Sequence, residues 1–346
     1  MAKRAIVRAM SSEAKATNNL RIHFTSSQSS HWNPGTATTS NVTTSSSSPL
    51  RIGVLDSSFN PPTIAHLKLL TECAIAYRLD CYLLLISSHN ADKGEVKRTT
   101  DSDDNKKESK LCDLGIDGGL EGRIEMMKHV AKEAQQVLSS ASSTTCNSQP
   151  NTTSEQLLQS SHEIAVAETS HALFIDKATE LSRHFTRPVD SYFILGMDTV
   201  VRLFNPKYYL DPVPQLTQFL STSKLICAER AGSTTTTQTK AQISQQFKQE
   251  VFTKLVQDSL FPISLSDELQ TVSSTAVRSH LKRLGELHTH TSSSIDQDHT
   301  YIQREREIEE VLTELRKSIP NSVLEFILEE SLYLTQSHET SRATKA

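Results

Sequence analysis

The 346-residue chain lacks several features that whole classes of protein require. Its five cysteines lie at irregular spacings and include no CxxC pair, which argues against a zinc site or a disulfide framework and favours a reducing compartment. No apolar run approaches the roughly 18 residues of a membrane-spanning helix. The formal net charge of -4 argues against a general nucleic-acid binder, so an anionic ligand must be held by a local site.

Hydrophobic residues are also scarce, at 36% of the chain. Because the candidate strands are strongly apolar, the shortage falls on stretches rich in Ser, Thr and Gln, which cannot build a core. These stretches predict a low-complexity N-terminal tail (residues 1–49), polar insertions near residues 95–120, 139–161, 231–248 and 284–300, and a C-terminal tail (residues 335–346). A single domain over residues 50–334 remains.

The first 25 residues carry five basic residues and a single acidic one, Glu13. This pattern loosely resembles a mitochondrial transit peptide. The alternatives are a disordered basic tail or a helix packed on the domain. The expected location is therefore the cytoplasm, the nucleus or both, with the mitochondrion as the alternative.

Apolar, strand-like runs alternate with amphipathic segments along residues 50–334. Strands are predicted over residues 51–55, 81–87, 162–167, 191–195, 224–229 and 263–265, and helices over residues 63–79, 123–137, 171–184, 198–204, 305–317 and 323–332. This alternation predicts the α/β class, with a doubly wound open parallel sheet. Ligands of such sheets bind beyond the carboxyl ends of the strands, and two motifs follow strand ends here.

The first motif, residues 52–66, reads IGVLDSSFNPPTIAH and predicts a strand, a turn and the start of a helix. Ser58 and Asn60 suit a turn whose backbone N–H groups point into the cleft, and the two prolines that follow keep the helix from starting before Thr63. The helix N-terminus favours phosphate, and His66, one turn in, presents its imidazole to the same anion. The alternative is a strand–turn–helix in which His66 is an ordinary core residue.

The second motif, residues 272–278, reads VSSTAVR and predicts a helix start after a short β-branched run. The hydroxyls of Ser274 and Thr275 and the free helix amides can hold one phosphate, while the Arg278 guanidinium holds another in bidentate fashion. The alternative is an ordinary N-cap followed by a solvated arginine. Together the two motifs predict an enzyme that grips a nucleoside triphosphate from two sides.

The motifs also resemble those of a known family. GVLDSSFNPPTIAH resembles the GxFNPxTxxH form of the HxGH element of nucleotidylyltransferases, and VSSTAVR resembles their ISSTxxR element. Three further stretches are similar to elements of the nicotinamide/nicotinate mononucleotide adenylyltransferases: GRIEMMKHVAKEA to the RxxM helix, LGMDTVVRLF to the GxD turn, and SIPNSVLEFILEESLYL to the closing helix. ISSHNADKG and LFNPKYY resemble a fungal-type branch. The resemblance covers residues 50–334 and implies a Rossmann-like nucleotidyltransferase fold.

The resemblance implies an enzyme that transfers AMP from ATP, accompanied by Mg²⁺, to nicotinamide mononucleotide, forming NAD and pyrophosphate. Nicotinate mononucleotide is a further candidate acceptor. The implied catalytic residues are His66 and Arg278, which would act by positioning and charge stabilisation. The implied nucleotide-binding residues are Ser57, Ser58, Phe59, Thr63, Lys93, Gly196, Asp198, Ser274 and Thr275, and none is implied as a metal ligand.

Alternatives accompany these assignments. Lys93 can be a solvated loop lysine, and Asp198 can be an N-cap on the helix that follows it. The expected partners are ATP and a pyridine mononucleotide, not nucleic acid or a membrane, and homo-oligomerisation stays open. Two rival functions are a nucleotidylyltransferase with another acceptor, such as a phosphopantetheine or alcohol-phosphate substrate with CTP as donor, and a degenerate nucleotide-binding scaffold or regulator.

The chain departs from the family pattern at three points. Thr63 stands where many members carry the first histidine, and Ala65 stands where glycine is usual. The family's pyridine-stacking tryptophan has no counterpart, because the single tryptophan, Trp32, lies in the polar N-terminal stretch. The aromatic residues that could replace it are Phe204, Tyr208 and Tyr209.

Overall fold

The computed structural model describes residues 19–26, 32, 48–90, 94–95, 117–144, 163–230, 235–289 and 297–334. The strands in these ranges are β1 (Leu20–Thr25), β2 (Leu50–Asp56), β3 (Cys81–Ser87), β4 (His89–Asn90), β5 (Gly94–Glu95), β6 (Glu163–Thr169), β7 (Val189–Gly196), β8 (Ser223–Arg230) and β9 (Leu260–Leu265). The helices are α1 (Ile64–Tyr77), α2 (Gly119–Thr144), α3 (Phe174–His184), α4 (Met197–Leu203), α5 (Pro212–Thr222), α6 (Thr235–Phe247), α7 (Glu250–Ser259), α8 (Ser274–Thr289), α9 (Gln297–Ser318) and α10 (Asn321–Glu329). None of these helices has the length and hydropathy needed to cross a membrane.

Seven strands form one sheet in the order β1-β6-β3-β2-β7-β8-β9. In this spatial order, every strand after β1 is parallel to its neighbours, whereas β1 pairs antiparallel with β6 at one edge. From the central β2 the chain first builds outward through β3 and β6, and then returns to the other side of β2 through β7, β8 and β9. The predicted doubly wound parallel sheet is confirmed. Its switch point lies between β2 and β7, where such sheets place their ligands.

Alternate residues of the central strands pack into two separate cores, one on each face of the sheet. In β3, Tyr82, Leu84 and Ile86 join the cluster that contains α1, α2, α8 and α10, whereas the residues between them join the cluster that contains α3, α5 and α7. Because both faces are covered, the strands are apolar along their whole length rather than alternating. Gly53 is required here, because a Cβ at this position would lie 2.6 Å from the Tyr82 ring.

The N-terminal stretch differs from its prediction as a low-complexity tail. Residues 20–25 form β1, which pairs with β6, and Trp32 is 1% exposed in the core. The Trp32 ring packs edge-on against Phe185 with centroids 5.5 Å apart. The alternating apolar residues of LRIHFT are the signal for this strand. Most of the predicted basic leader, residues 1–18, lies outside the described residues.

Three of the predicted polar insertions are partly helical. Residues 235–247 form α6, α2 continues through the first part of the 139–161 stretch, and α8 continues to residue 289. In α6 a narrow stripe at helical spacing is buried, consisting of Thr236, Thr239 and Ile243. Packing of this stripe against the rest of the domain stabilises the helix, although the segment as a whole has few hydrophobic residues. The prediction also missed α5 and α7, while residues 96–116 of the first insertion lie outside the described ranges.

Candidate active site

Three of the predicted stretches follow strand ends at the carboxyl edge of the sheet. The segment that we call the Pro-Pro turn, residues 57–63, leaves the end of β2, and the Ser57 N–H extends the strand pairing by donating to the Leu85 carbonyl (3.3 Å). Gly196 ends β7 on the opposite side of the switch point. The second motif opens α8 after β9, the strand at the far edge. The site is therefore built around the switch point of the sheet.

His66 is held by hydrogen bonds at both ring nitrogens. The Thr63 N–H donates to His66 Nδ1 (3.0 Å), and the Thr63 hydroxyl lies 2.8 Å from the same nitrogen. Because a backbone N–H can only donate, Nδ1 is the unprotonated nitrogen of the neutral ring, and we assign the proton to Nε2. His66 Nε2 lies 3.0 Å from Ser57 Oγ and donates to it. The imidazole thus presents an N–H donor toward the end of β2.

Burial lowers the pKa of His66 to about 4. At neutral pH the ring is therefore uncharged and acts as a hydrogen-bond donor rather than as a cation. Arrival of an anion beside Nε2 favours the protonated form and opposes this effect of burial. The charge stabilisation that we predicted for His66 accordingly requires the anion to be bound.

Phe59 and Thr63 support His66 instead of facing the cleft. The Phe59 ring is fully buried with its centroid 5.2 Å from that of His66, and the backbone φ of Phe59 is 44°, in the left-handed region. Such a φ is uncommon for a residue other than glycine and shapes the Pro-Pro turn. Thr63 is 1% exposed. A nucleotide can reach Phe59 only through its backbone, and the Thr63 side chain serves to orient the imidazole.

The second motif is hydrogen-bonded directly to the Pro-Pro turn. The Ser274 hydroxyl donates to the Pro61 carbonyl (2.8 Å) across 213 positions of sequence. The N–H of Ala276 donates to Ser273 Oγ (3.2 Å), so Ser273 is the capping residue. The alternative in which Ser274 or Thr275 caps the helix is therefore wrong. The Ser274 hydroxyl joins the two motifs.

The guanidinium of Arg278 is held in place by two hydrogen bonds and is left without a carboxylate partner in the described ranges. Its Nη1 donates to the Asn60 carbonyl (2.5 Å), and its Nη2 donates to the hydroxyl of Thr275 (3.1 Å). Within the described ranges no carboxylate pairs with this guanidinium, which is half-buried. A guanidinium has five N–H donors, so donors remain for a phosphate.

The other predicted residues differ in how they are placed. Gly196 and Asp198 are exposed, and a Cβ on Gly196 would meet open space, so no close contact requires glycine there. Gly196 is the N-cap of α4 and Asp198 lies in its first turn, so the N-cap alternative for Asp198 is wrong. Ser58 is exposed at the Pro-Pro turn, and Lys93 lies outside the described residues.

Sequence reasoning missed a buried ion pair beside the Pro-Pro turn. Lys177 on α3 contacts the carboxylate of Asp56, the last residue of β2, and their side chains are 4% and 10% exposed. The ammonium also lies over the Phe174 ring, 4.7 Å from its centroid. Buried charges need such partners. A carboxylate ending an apolar strand was the only signal for this pair.

The three candidates for pyridine stacking are not equally available. Phe204 is 1% exposed and packs against Phe252 in the core, so its prediction as a stacking ring is wrong. Tyr209 is held by its hydroxyl, which donates to the Leu203 carbonyl (2.5 Å), and burial raises the pKa of Tyr209. Tyr208 is half-buried, with the Lys207 ammonium 4.5 Å from its ring centroid.

Comparison with known proteins identifies a curated relative. No family model matches the chain. A protein of Schizosaccharomyces pombe, provisionally named a nicotinamide mononucleotide adenylyltransferase, is 28% identical over 202 residues. The match spans 58% of this chain and 61% of the relative's length. The chain resembles the mononucleotide adenylyltransferases. The relative is a fungal protein, which agrees with the fungal-type features of the sequence.

Two solved structures of a Plasmodium falciparum adenylyltransferase align with the chain. Both are described as nicotinic acid mononucleotide adenylyltransferase, one complexed with NaAD and the other with APC. The first has a TM-score of 0.45 and 14% identity, and covers 82% of this chain and 97% of its own. The second has a TM-score of 0.43 and 13% identity, and covers 82% and 96%.

Proposed function

We propose that this protein transfers the AMP moiety of ATP to nicotinamide mononucleotide, forming NAD and pyrophosphate. The observation that carries the proposal is the direct hydrogen bonding of the Pro-Pro turn to the start of α8, through Ser274 and Arg278. This contact sets the Arg278 guanidinium, which still has donors to offer, against the turn that leads into the helix of His66. The name given to the fungal relative supports the choice of acceptor.

The chemistry is an in-line substitution at phosphorus. An oxygen of the acceptor's 5′-phosphate forms a bond to the α-phosphorus of ATP, the bond from that phosphorus to the bridging oxygen of the β-phosphate breaks, and pyrophosphate leaves with the electron pair. A phosphate monoester is anionic at pH 7, so the nucleophile needs no general base. The neutral His66, whose Nδ1 is already occupied by Thr63, suits a donor role.

In this proposal the protein supplies positioning and charge stabilisation. Arg278 binds phosphate oxygens through its remaining donors, and His66 Nε2 turns from the Ser57 hydroxyl to a phosphate oxygen. In this proposal the hydroxyls of Ser57, Ser58 and Thr275 contact the same phosphates. Asp198, on the β7 side of the switch point, accepts from a ribose hydroxyl of the nucleotide.

Mg²⁺ enters this proposal together with ATP. In the described part of the chain, no group of three or more His, Cys, Asp or Glu side chains is arranged to hold a metal ion. Mg²⁺ commonly keeps several waters and binds through substrate phosphates, so a protein cage is not required. Bound in this way, it would neutralise charge on the phosphates.

The test is a side-by-side assay of acceptors with the full chain. The protein is incubated with Mg²⁺ and either ATP or CTP, together with nicotinamide mononucleotide, nicotinate mononucleotide or phosphopantetheine, and pyrophosphate and dinucleotide are quantified. We expect dinucleotide with ATP and a pyridine mononucleotide, and the ratio of the two rates gives the acceptor preference. Turnover with phosphopantetheine alone, or ATP binding without turnover on any acceptor, would overturn the proposal in favour of a rival function.

A further inference from the structure

Asn60, in the middle of the Pro-Pro turn, is hydrogen-bonded to three distant segments. The Tyr333 hydroxyl donates to Asn60 Oδ1 (2.7 Å), and Asn60 Nδ2 donates to Asp117 Oδ2 (3.2 Å). The backbone carbonyl of Asn60 accepts from Arg278 (2.5 Å). The carboxylate of Asp117 fixes the orientation of the amide, because an ionised carboxylate only accepts.

Both side-chain partners of Asn60 are themselves held in place. Asp117 accepts from Arg123 Nε (3.2 Å) and from the Gly119 N–H (3.1 Å) at the start of α2. Tyr333 is 4% exposed and lies in the turn that follows α10, with a backbone φ of 63°. The side-chain amide of Asn60 is therefore hydrogen-bonded on both sides, to Tyr333 and Asp117, by groups that are themselves held in place.

The turn that contains Tyr333, residues 331–334, packs against α8, and we call it the C-terminal turn. A Cβ added to Gly285 would lie 1.9 Å from the carbonyl oxygen of Leu334, so glycine is needed for this close approach. Helix α8 begins with the second motif, which binds the Pro-Pro turn through Ser274. The Pro-Pro turn therefore contacts α8, α8 contacts the C-terminal turn, and the C-terminal turn contacts Asn60 of the Pro-Pro turn.

We propose that Asn60 is a positioning residue for nucleotidyl transfer, through which Tyr333 and Asp117 fix the guanidinium of Arg278. The inference rests on the proposed function. An arginine side chain has many rotamers, and the bond from Arg278 to the Asn60 carbonyl selects one of them. The Tyr333 and Asp117 bonds keep that carbonyl in place. Loss of either lets the carbonyl and the guanidinium move together away from the phosphates, and catalysis by positioning is sensitive to small displacements.

The test is a double-mutant cycle between Tyr333 and Arg278. Tyr333→Phe removes only the hydroxyl that donates to Asn60. Loss of one such bond should lower kcat/KM for ATP by about fivefold to tenfold. In the Arg278→Ala background the same substitution should change kcat/KM by less than about twofold, because the guanidinium through which Tyr333 acts on the phosphates has been removed. A purely structural effect would lower kcat/KM equally in both backgrounds.

Tyr77→Phe is the matched control. The Tyr77 hydroxyl also donates to a distant carbonyl, that of Pro262 (2.9 Å), but at the end of α1 away from the Pro-Pro turn. We expect this variant to match wild type in kcat/KM for ATP. The melting temperature of every variant is recorded, so that a loss of folding is distinguished from a loss of positioning.

The outcomes separate this inference from the proposed function. If wild type forms dinucleotide and Tyr333→Phe matches it, or acts equally in both backgrounds, the positioning role is overturned while the function stands. If wild type forms no dinucleotide, the function fails, and the same cycle is run on the calorimetric affinity for ATP with Mg²⁺. An affinity that Tyr333→Phe lowers only when Arg278 is present supports the positioning role. Any other result, including no binding by wild type, overturns it.

Discussion

Replacing His66 with glutamine should flatten the dependence of protein stability on pH below neutrality. Burial lowers the pKa of His66 to about 4 in the folded protein, whereas a histidine of the unfolded chain titrates near 6.5. The folded state therefore disfavours the proton. His66 contributes stability that is fully present above pH 6.5 and is lost progressively as the pH falls from 6.5 toward 4.

The size of this effect follows from the two pKa values. One pKa unit corresponds to about 1.4 kcal/mol, so the whole shift corresponds to about 3 kcal/mol. Integrating the proton uptake of both states gives a loss of about 2 kcal/mol between about pH 8 and pH 5. Wild type should lose this amount in addition to whatever His66→Gln loses over the same interval.

The assay is the free energy of unfolding from urea titrations across this pH range. His288→Gln, which replaces an exposed histidine on α8, is the matched control and should follow wild type at every pH. The stability that wild type loses relative to His66→Gln should grow smoothly as the pH falls below 6.5. Parallel curves for wild type and His66→Gln would refute the assignment of a neutral imidazole.

Two further substitutions test the packing around the site. Lys177→Met leaves the buried carboxylate of Asp56 without its partner and should lower the free energy of unfolding by about 3–5 kcal/mol in urea titrations. Lys282→Met, which removes an exposed ion pair, should change it by less than about 0.5 kcal/mol, and equal losses would contradict the burial argument. Gly285→Ala should lower the melting temperature by about 3–8 °C, because the new Cβ meets the Leu334 carbonyl. An unchanged melting temperature would show that this contact is not close in solution.

The parallel strands of the sheet could be predicted from the sequence because their signals are local. A parallel strand covered on both faces is apolar throughout, and β3 was predicted with its exact ends, residues 81–87. The first motif carries its own geometry in the same way. Asn60 and the two prolines enforce a turn, so the helix begins directly after its N-cap Thr63 and His66 lies in its first turn.

The contacts that assemble the site could not be predicted, because they depend on how distant segments meet. Ser273 and Ser274 are neighbours of the same type, yet the first caps α8 and the second reaches Pro61. Their sequence context favours neither arrangement. The links from Tyr333 and Asp117 to Asn60 similarly follow from packing of the C-terminal turn and α2, not from a local pattern.

The polar stretches were misjudged for a related physical reason. Composition predicts whether a segment can build a core alone, but not whether an existing core can accept a few of its residues. Trp32 fills a place beside Phe185, and Ile243 with two buried threonines attaches α6. A handful of well-placed side chains is enough when the rest of the domain supplies the partner surface.

The most direct test of the central claim is the rate of NAD formation from ATP and nicotinamide mononucleotide by variants of the two motifs. His66→Ala and Arg278→Ala should each lower kcat/KM by at least about a hundredfold while the circular dichroism spectrum stays that of wild type. Arg283→Ala, on the same helix as Arg278 but in an exposed ion pair with Glu307, should retain wild-type turnover. Wild-type-like turnover by His66→Ala or Arg278→Ala would contradict the account.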